Sequence, residues 1–484
     1  MKTLEQLTPQ PLFSYFEEIC QVPRPSKKEE KIRQYLLDFA KAHELEVVCD
    51  KIGNVVIKKP ASKGMENAPT VILQTHMDMV CEKNSDKIFD FDNDAIEPLV
   101  VNGWVKANGT TLGADCGIGI AAQLAVLSSG ELKHGPIECL ITVDEETGLT
   151  GAFELDKNLL SGAVLLNLDS EDEGEIFIGC AGGIDSLATF TYQTEKPGKN
   201  TLALKVAVSG LLGGHSGDDI HKNRGNANKI LNRILWNWNQ KFRINLADFN
   251  GGNLRNAIAR EAFAIITIAT ENKSQLLASF NEMSENLKEE FKFAEPKLKI
   301  DCEETTLPEL LIDAATKDNL LHAIYACPHG VLEMSSRMEG MVETSTNLAS
   351  VKFTDENKIV ITTSQRSEIE GRKFFAAEMV ESVFTLAGAQ VKHGDGYPGW
   401  TPNPNSEVLK TTVQSYKKLF NVDPIVRSIH AGLECGLFLE KYPHLDMVSF
   451  GPSIRGAHSP DERLDIATTD KFWKHLIDVL ENIK

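Results

Sequence analysis

Residues 71–80 read VILQTHMDMV: three consecutive apolar side chains, then an abrupt change to Gln74, Thr75, His76 and Asp78. A short continuous apolar run suits a strand buried on both faces, and the polar cluster marks its carboxyl end. The same pattern recurs further along. Cys139-Leu140-Ile141, with Val143, gives way to Asp144-Glu145-Glu146-Thr147-Gly148. Val164-Leu165-Leu166 gives way to Leu168-Asp169-Ser170, and Met447-Val448, with Phe450, to GPSIRGAHSPDE (451–462). Helical stretches such as 117–129 separate the earlier runs. Apolar strands alternating with helices indicate an α/β domain built on a mostly parallel sheet. In such a sheet the carboxyl ends of neighbouring strands open on one crevice, so residues far apart in sequence can meet there.

Working outward, Ser26 and Glu29 have capping-box spacing. They predict that the first clear helix starts at Ser26, with Ile32, Tyr35, Leu36, Phe39 and Ala40 on one face. After about residue 185 the pattern changes. SLATFTY (186–192) reads as a strand, EKPGKN (195–200) as a break, and TLALKVAVSG (201–210) as a half-exposed strand. Two stretches, 256–270 leading into a helix near 273–291 and 347–366 leading into a helix near 373–388, form a faint repeat of hairpin followed by helix. The α/β character returns after GDGYPGW (394–400) and ends in an amphipathic helix, 468–483. The expected organisation is a discontinuous α/β domain, 1–186 and 398–484, interrupted by an inserted α+β domain, 187–397, with doubled hairpin–helix units.

Bulk properties narrow the function classes. With 484 residues, two domains are the natural expectation. A net charge of -19 argues against a nucleic-acid backbone or an anionic membrane as partner. The nine cysteines are scattered, with no C-x-x-C pair, and read as reduced thiols of a cytoplasmic protein. The N-terminus carries acidic residues and no apolar core of a signal peptide, and no apolar run approaches membrane-spanning length.

The strand-end residues supply two histidines, His76 and His458, and carboxylates at Asp169 and Glu145-Glu146; GTTLGADCGIG (109–119) adds Asp115 in a Gly-rich turn. This nitrogen and oxygen donor set suits a dinuclear zinc site for hydrolysis. In His76-x-Asp78 the acid can accept the proton of the ring nitrogen that is not bound to metal. One of Glu145 and Glu146 can ligate while its neighbour takes a proton from water. Each feature alone has a plainer reading. His76 suits a core or surface histidine, DEETG a solvated acidic turn, and DSEDEGE (169–175) a solvated loop beyond Asp169. Only their coincidence at several strand ends carries the argument.

THMDMV, GTTLGADCGIG, TVDEETG, NLDSEDEGE and GAHSPDE, in that order, resemble the metal-site signatures of the M20 metallopeptidase family. GCAGGID (179–185), GGHSGDDIH (213–221), FNGGNLRNAI (249–258), VETS-x-N (342–347), YPGW (397–400) and HAGLECGLF (430–438) resemble its bacterial branch of dipeptidases acting on aminoacyl-histidine substrates. The likeness covers nearly the whole chain. It implies that His76 and Asp169 bind one zinc, that Glu146 and His458 bind the other, and that Asp115 bridges them. It implies Glu145 as general base and Asp78 as the partner of His76. In the family, Asn or Asp often follows the bridging Asp across a cis peptide; here Cys116 follows.

By the same resemblance the inserted domain is a lid, His215 stabilises the oxyanion in cis or in trans, and Asn256 and Arg366 hold the substrate. Arg366 would take its terminal carboxylate, and Gly432 and Glu434 are further substrate-binding candidates. The expected activity is hydrolysis of dipeptides, Xaa-His and a broad range of others, with two Zn²⁺ per chain or Mn²⁺ or Co²⁺ in their place, by a homodimer. An M20-type deacylase of N-acyl amino acids is the alternative on the same metal residues. A metal-stabilised binding protein without catalysis is a further one, and the presence of Glu145 and the ligand residues speaks against it.

Overall fold

The computed structural model describes residues 4–484. The chain divides into two compact units. The first holds the described residues up to Gly179 together with Pro402–Ser428 and Leu433–Lys484; the second holds Cys180–Thr401 and Ile429–Gly432.

The first unit is built around an eight-stranded sheet. Its order is Glu46–Cys49, Val55–Lys59, Ile137–Thr142, Val71–His76, Val164–Asn167, Asp446–Ser449, Glu175–Cys180 and Ile425–Ile429. The four middle strands, from Ile137–Thr142 to Asp446–Ser449, are the apolar runs read from the sequence, and they are parallel. Every residue of Val71–His76 and Ile137–Thr142 is buried, as strands covered on both faces must be. Antiparallel pairings adjoin this parallel centre on both sides, at Val55–Lys59 and at Glu175–Cys180.

The helix Ala114–Ser128 is apolar nearly all round and almost wholly buried. It lies close against the strand ends. A Cβ at Gly119 would sit 2.7 Å from Thr75 Cγ2 and 2.9 Å from the Leu168 carbonyl, so the close approach needs glycine.

Two local expectations are corrected. A helix, Gln10–Cys20, precedes the one read as first. The helix expected from Ser26 runs Glu30–Ala42 and has no side-chain cap. Ser26 instead donates to Asp78 Oδ2 at 2.7 Å, while Glu29 Oε1 accepts from the backbone of Lys27 and Asp144. Both polar groups are drawn away from the helix end by stronger, charged or structural partners. The apolar face is as expected, with Ile32, Leu36, Phe39 and Ala40 buried.

The second unit contains a nine-stranded antiparallel sheet, eight strands of which form a duplication, while the ninth, Gly330–Met334, pairs with Val342–Thr354 outside it. One half runs strand Thr201–Ser209, helix Ala227–Phe242, strands Asn245–Gly251 and Ala262–Ala269, helix Lys273–Glu290, strand Lys299–Thr305. The other runs strand Gly182–Thr191, helix Ala314–Ala326, strands Val342–Thr354 and Lys358–Ser367, helix Glu370–Leu386, strand Gln390–His393. In each half the spatial order is last strand, first strand, third strand, second strand. The halves join where Gly251 opposes Val351. The first half is inserted between the opening strand and the first helix of the other. Both hairpin–helix units read from the sequence are present, although the earlier hairpin starts upstream, at Asn245, and 256–261 is its connection.

Ile230, Leu231, Ile234, Leu235 and Trp238 lie at helical spacing on Ala227–Phe242 and fill the core of this unit with Phe249, Phe190 and Phe384. No helix among the described residues is long and apolar enough to cross a membrane.

Candidate metal centre and active site

The parallel strands of the first unit deliver their polar ends to one place. His76 is the last residue of Val71–His76, and Glu145 and Glu146 open a single helical turn after Ile137–Thr142. Asp169 follows Val164–Asn167, and His458 lies in the loop beyond Asp446–Ser449. Asp115, near the start of Ala114–Ser128, has extended rather than helical backbone, which turns its carboxylate away from the helix; the Asp115–Cys116 peptide bond is cis.

Asp115 occupies the middle. Its Oδ1 is 3.0 Å from His76 Nε2, and its Oδ2 is 3.3 Å from His458 Nε2. His76 Nε2 is also 3.3 Å from Asp169 Oδ1, and His458 Nε2 is 3.0 Å from Glu146 Oε2. The five side chains therefore form two pairs that share one carboxylate. Glu146 Oε1 is buried without a hydrogen-bond partner, and Asp169 Oδ1 has only the 3.3 Å approach of His76 Nε2. Buried carboxylate oxygens left unpaired beside two imidazoles are what a divalent cation's donor set requires. Glu145 has an oxygen grouped within 4.8 Å of ligand atoms of His76 and Glu146.

Electrostatics agree with the donor chemistry. Burial opposes a charge on His76, yet the Asp169, Asp115 and Asp78 carboxylates draw it well above the ordinary imidazole range. His458, bonded to Asp115 and Glu146, is drawn up to about 11. Asp115 sits far below the usual carboxylate range because the two histidines outweigh its burial. Burial, with nearby acids, pushes Asp169 to about 6 and raises Glu145 strongly. The site concentrates more negative charge than its own histidines neutralise, and a bound dication would balance it.

Asp78 is completely buried and does not belong to the ligand set. Its Oδ1 is 3.3 Å from His76 Nδ1, and its two oxygens accept from the backbone of Glu145 (3.0 Å) and Glu146 (3.2 Å). One carboxylate thus orients the histidine and both glutamates. Arg24, unremarked in the sequence, donates to the carbonyls of Asp78 (2.7 Å), Met77 (3.2 Å) and Gly113. Cys116 borders the site, but burial pushes its thiol far up, so it stays protonated and is a poor ligand. Glu29, Asp78 and Asp144 also cluster, but their oxygens accept from backbone N–H groups and from Thr147 and Thr150 hydroxyls, as a structural network does.

Glu434, a substrate-binding candidate, belongs to this unit. It is buried and accepts from Gln74 Nε2 (2.6 Å) and Thr142 Oγ1 (2.8 Å), and burial raises it to about 8.

The remaining candidates gather in the second unit. His215 follows Gly213 and Gly214, both at positive φ, and its Nδ1 accepts from the Gly217 and Asp218 N–H groups. Ser216 N donates to the Asn256 carbonyl at 2.8 Å, which sets Asn256 beside this loop. Arg366, nearly buried, donates from Nη1 to Tyr397 OH at 2.9 Å and from Nε to Ser216 Oγ at 3.4 Å. Gly432 lies against the same tyrosine; a Cβ there would sit 2.8 Å from the ring. His215, Asn256, Arg366 and Gly432 are thus linked through Ser216 and Tyr397. Sequence reading singled out neither Tyr397 nor His430, which lies 2.7 Å from Ser345 Oγ. Both sit inside quoted motifs, YPGW and HAGLECGLF, and that position was the only signal for them.

Comparison with known proteins gives a consistent result. The model of peptidase family M20/M25/M40 matches residues 72–482. The cytosol non-specific dipeptidase of Escherichia coli (strain K12) is 44% identical over 483 residues, covering 100% of this chain and 99% of that protein. The crystal structure of aminoacylhistidine dipeptidase from Vibrio alginolyticus superposes with a TM-score of 0.91 at 46% identity, covering 99% of this chain and 98% of that one. A tripeptidase from Staphylococcus aureus, at 18% identity and TM-score 0.57 over 99% of both chains, shares the fold.

Proposed function

This chain belongs to peptidase family M20/M25/M40 and is a metallopeptidase, and on that premise we propose that it hydrolyses dipeptides, Xaa-His among a broad range of others, with two zinc ions per chain. The observation that carries the reading is the shared carboxylate: Asp115 offers one oxygen to His76 and the other to His458. In this reading His76 and Asp169 would hold one ion, Glu146 and His458 would hold the other, and Asp115 would serve both. Mn²⁺ or Co²⁺ would serve the same oxygen and nitrogen donors. The names of the two close relatives support the choice of substrate. The name of the Escherichia coli relative also supports a cytoplasmic location for the reaction. The catalytic domain expected over 1–186 and 398–484 corresponds in this reading to the first unit, and the inserted lid expected over 187–397 to the second, of a homodimeric enzyme.

When bound, the cations supply Lewis acidity, polarising the scissile carbonyl and easing deprotonation of the attacking water. Glu145 takes that proton on its carboxylate as the water oxygen bonds to the carbonyl carbon, then passes it to the leaving amine as the C–N bond breaks. Asp78 holds the His76 ring through Nδ1 and keeps Glu145 and Glu146 in place through their backbone N–H groups. His215 stabilises the oxyanion. Arg366 binds the substrate's terminal carboxylate, and Asn256, Gly432 and Glu434 complete the binding groups.

A panel of Xaa-His dipeptides, a tripeptide and an N-acyl amino acid, assayed with zinc and after chelation, tests the reading. Chelator-sensitive cleavage of the dipeptides is expected. Cleavage of only the N-acyl amino acid would move the enzyme to the deacylase alternative. Glu145→Gln should retain metal while losing turnover; near-normal kcat in that variant would remove Glu145 as the base.

A further inference from the structure

Glu462 lies four residues beyond His458, and its carboxylate is 2% exposed. It touches none of the five ligand side chains through its own acid group. Instead it accepts four backbone N–H groups in a row: Oε2 from Leu112 (2.7 Å) and Gly113 (2.8 Å), Oε1 from Ala114 (2.8 Å) and Asp115 (3.3 Å). Those of Gly113, Ala114 and Asp115 are donors that the start of a helix leaves without partners, and a carboxylate satisfies them while complementing the positive end of the helix. The opposite side of the same turn is held by Arg24, also buried, which donates to the Gly113 carbonyl and to those of Met77 and Asp78. Gly113 has φ +70°, and a Cβ there would come 2.5 Å from Arg24 Nη2, so the turn admits only glycine between these partners. Glu462 is fixed within its own loop: its N–H donates to Ser459 O at 3.0 Å, and Ser459 Oγ to Gly456 O at 2.7 Å.

One carboxylate therefore ties the turn that carries Asp115 to the loop that carries His458. We propose that Glu462 is a positioning residue of the metal centre, which fixes the bridging Asp115 and sets its separation from His458 before any ion binds. The proposal rests on the dinuclear reading above. It gives Glu462 no role in proton transfer and no contact with substrate. Its effect falls most on the ion that Glu146 and His458 would hold, because both His458 and the shared Asp115 lie on the segments Glu462 joins, whereas of the other ion's candidate ligands only Asp115 does.

Two measurements test it. In the first, full-length parent and Glu462→Gln are titrated with Co²⁺ and followed by visible absorption. The glutamine amide keeps the volume but turns one acceptor into a donor facing N–H groups. The weaker-held of the two ions should lose about 10–100-fold in affinity, the range for loss of a group that orients a ligand, and the other should lose less. Glu462→Asp, which keeps the charge on a shorter arm, should fall between. Equal affinity for both ions in parent and Glu462→Gln would overturn the proposal.

The second needs no variant. Amide hydrogen exchange of residues 112–115 is measured in the parent with zinc and after chelation. Persistent protection after chelation is expected, since the clamp is made by the protein. Fast exchange of those amides in the chelated chain would show that they are not held by Glu462, and would sink the idea even if Glu462→Gln did not fold. If the parent binds no metal, the dinuclear reading fails, while the exchange experiment still decides whether the clamp exists.

Discussion

Asp115 faces two histidines where the backbone, at Asp115 and Cys116, leaves the helical path in the first turn of its helix. Its surroundings carry more acid than base, and the two histidines respond by binding protons strongly. His458 is drawn to about 11 by Asp115 and Glu146. A cation binding to these ring nitrogens must displace those protons. Metal uptake should therefore release protons, and affinity should go on rising with pH through neutrality and toward about 11. Calorimetric titration with zinc in buffers of different ionisation heat checks this; a heat independent of buffer would contradict it.

At this scale the sequence was most legible where a side chain does chemistry itself. His76, Asp115, Glu146, Asp169 and His458 follow apolar runs or sit in a Gly-rich turn, and the structure brings them together. Arg24 and Glu462 were silent because their partners are backbone groups, which every residue possesses. Ser26 was misread for a related reason. Its spacing to Glu29 fits a cap, but a buried carboxylate 52 residues away, Asp78, takes its hydroxyl.

Among the elements, the continuous apolar strands were the easiest to read, because burial on both faces favours runs of consecutive apolar residues over alternation. Val55–Lys59 and Glu175–Cys180, which adjoin the parallel centre, were not read as strands. Val55–Lys59 ends in Lys58-Lys59, and Glu175–Cys180 emerges directly from an acidic run, so both look like loop continuations.

The helix Ala227–Phe242 shows what packing is worth here. Trp238 is fully buried among Ile234, Leu235 and Phe249, and Trp238→Ala should cost about 3–5 kcal/mol of unfolding free energy, readable by denaturant titration. A loss below about 1 kcal/mol would mean that the core refills around the gap.

The last helix, Ile466–Asn482, carries a pH-sensitive contact. His475 is buried, with Nε2 2.9 Å from the Thr412 carbonyl on Glu407–Phe420, and burial lowers it from 6.5 to about 4. The unfolded chain therefore binds a proton there that the folded chain refuses. The stability due to neutral His475 is fully present above pH 6.5 and is lost as pH falls toward 4, on the order of 3 kcal/mol. His475→Asn should flatten that part of the stability–pH curve; an unchanged slope would show that His475 titrates normally.

For the whole molecule, the second unit's duplication explains why its sequence looked irregular. One half is threaded into the other, so the first strand of the outer half, Gly182–Thr191, is separated from its helix, Ala314–Ala326, by the entire inner half. A faint repeat survived in the two contiguous hairpin–helix segments, but the matching opening strands and helices stand out of sequence phase with them.

The net charge of -19 suits a protein that handles small solutes and cations better than polyanions. The number of cations the first unit takes decides between one shared centre and two separate ligand pairs. The most direct measurement is zinc bound per chain at equilibrium dialysis, for the parent and for Asp115→Ala. The account predicts two ions per parent chain and loss of binding at both positions when the shared carboxylate is removed. One ion per parent chain, or two retained without Asp115, would contradict it.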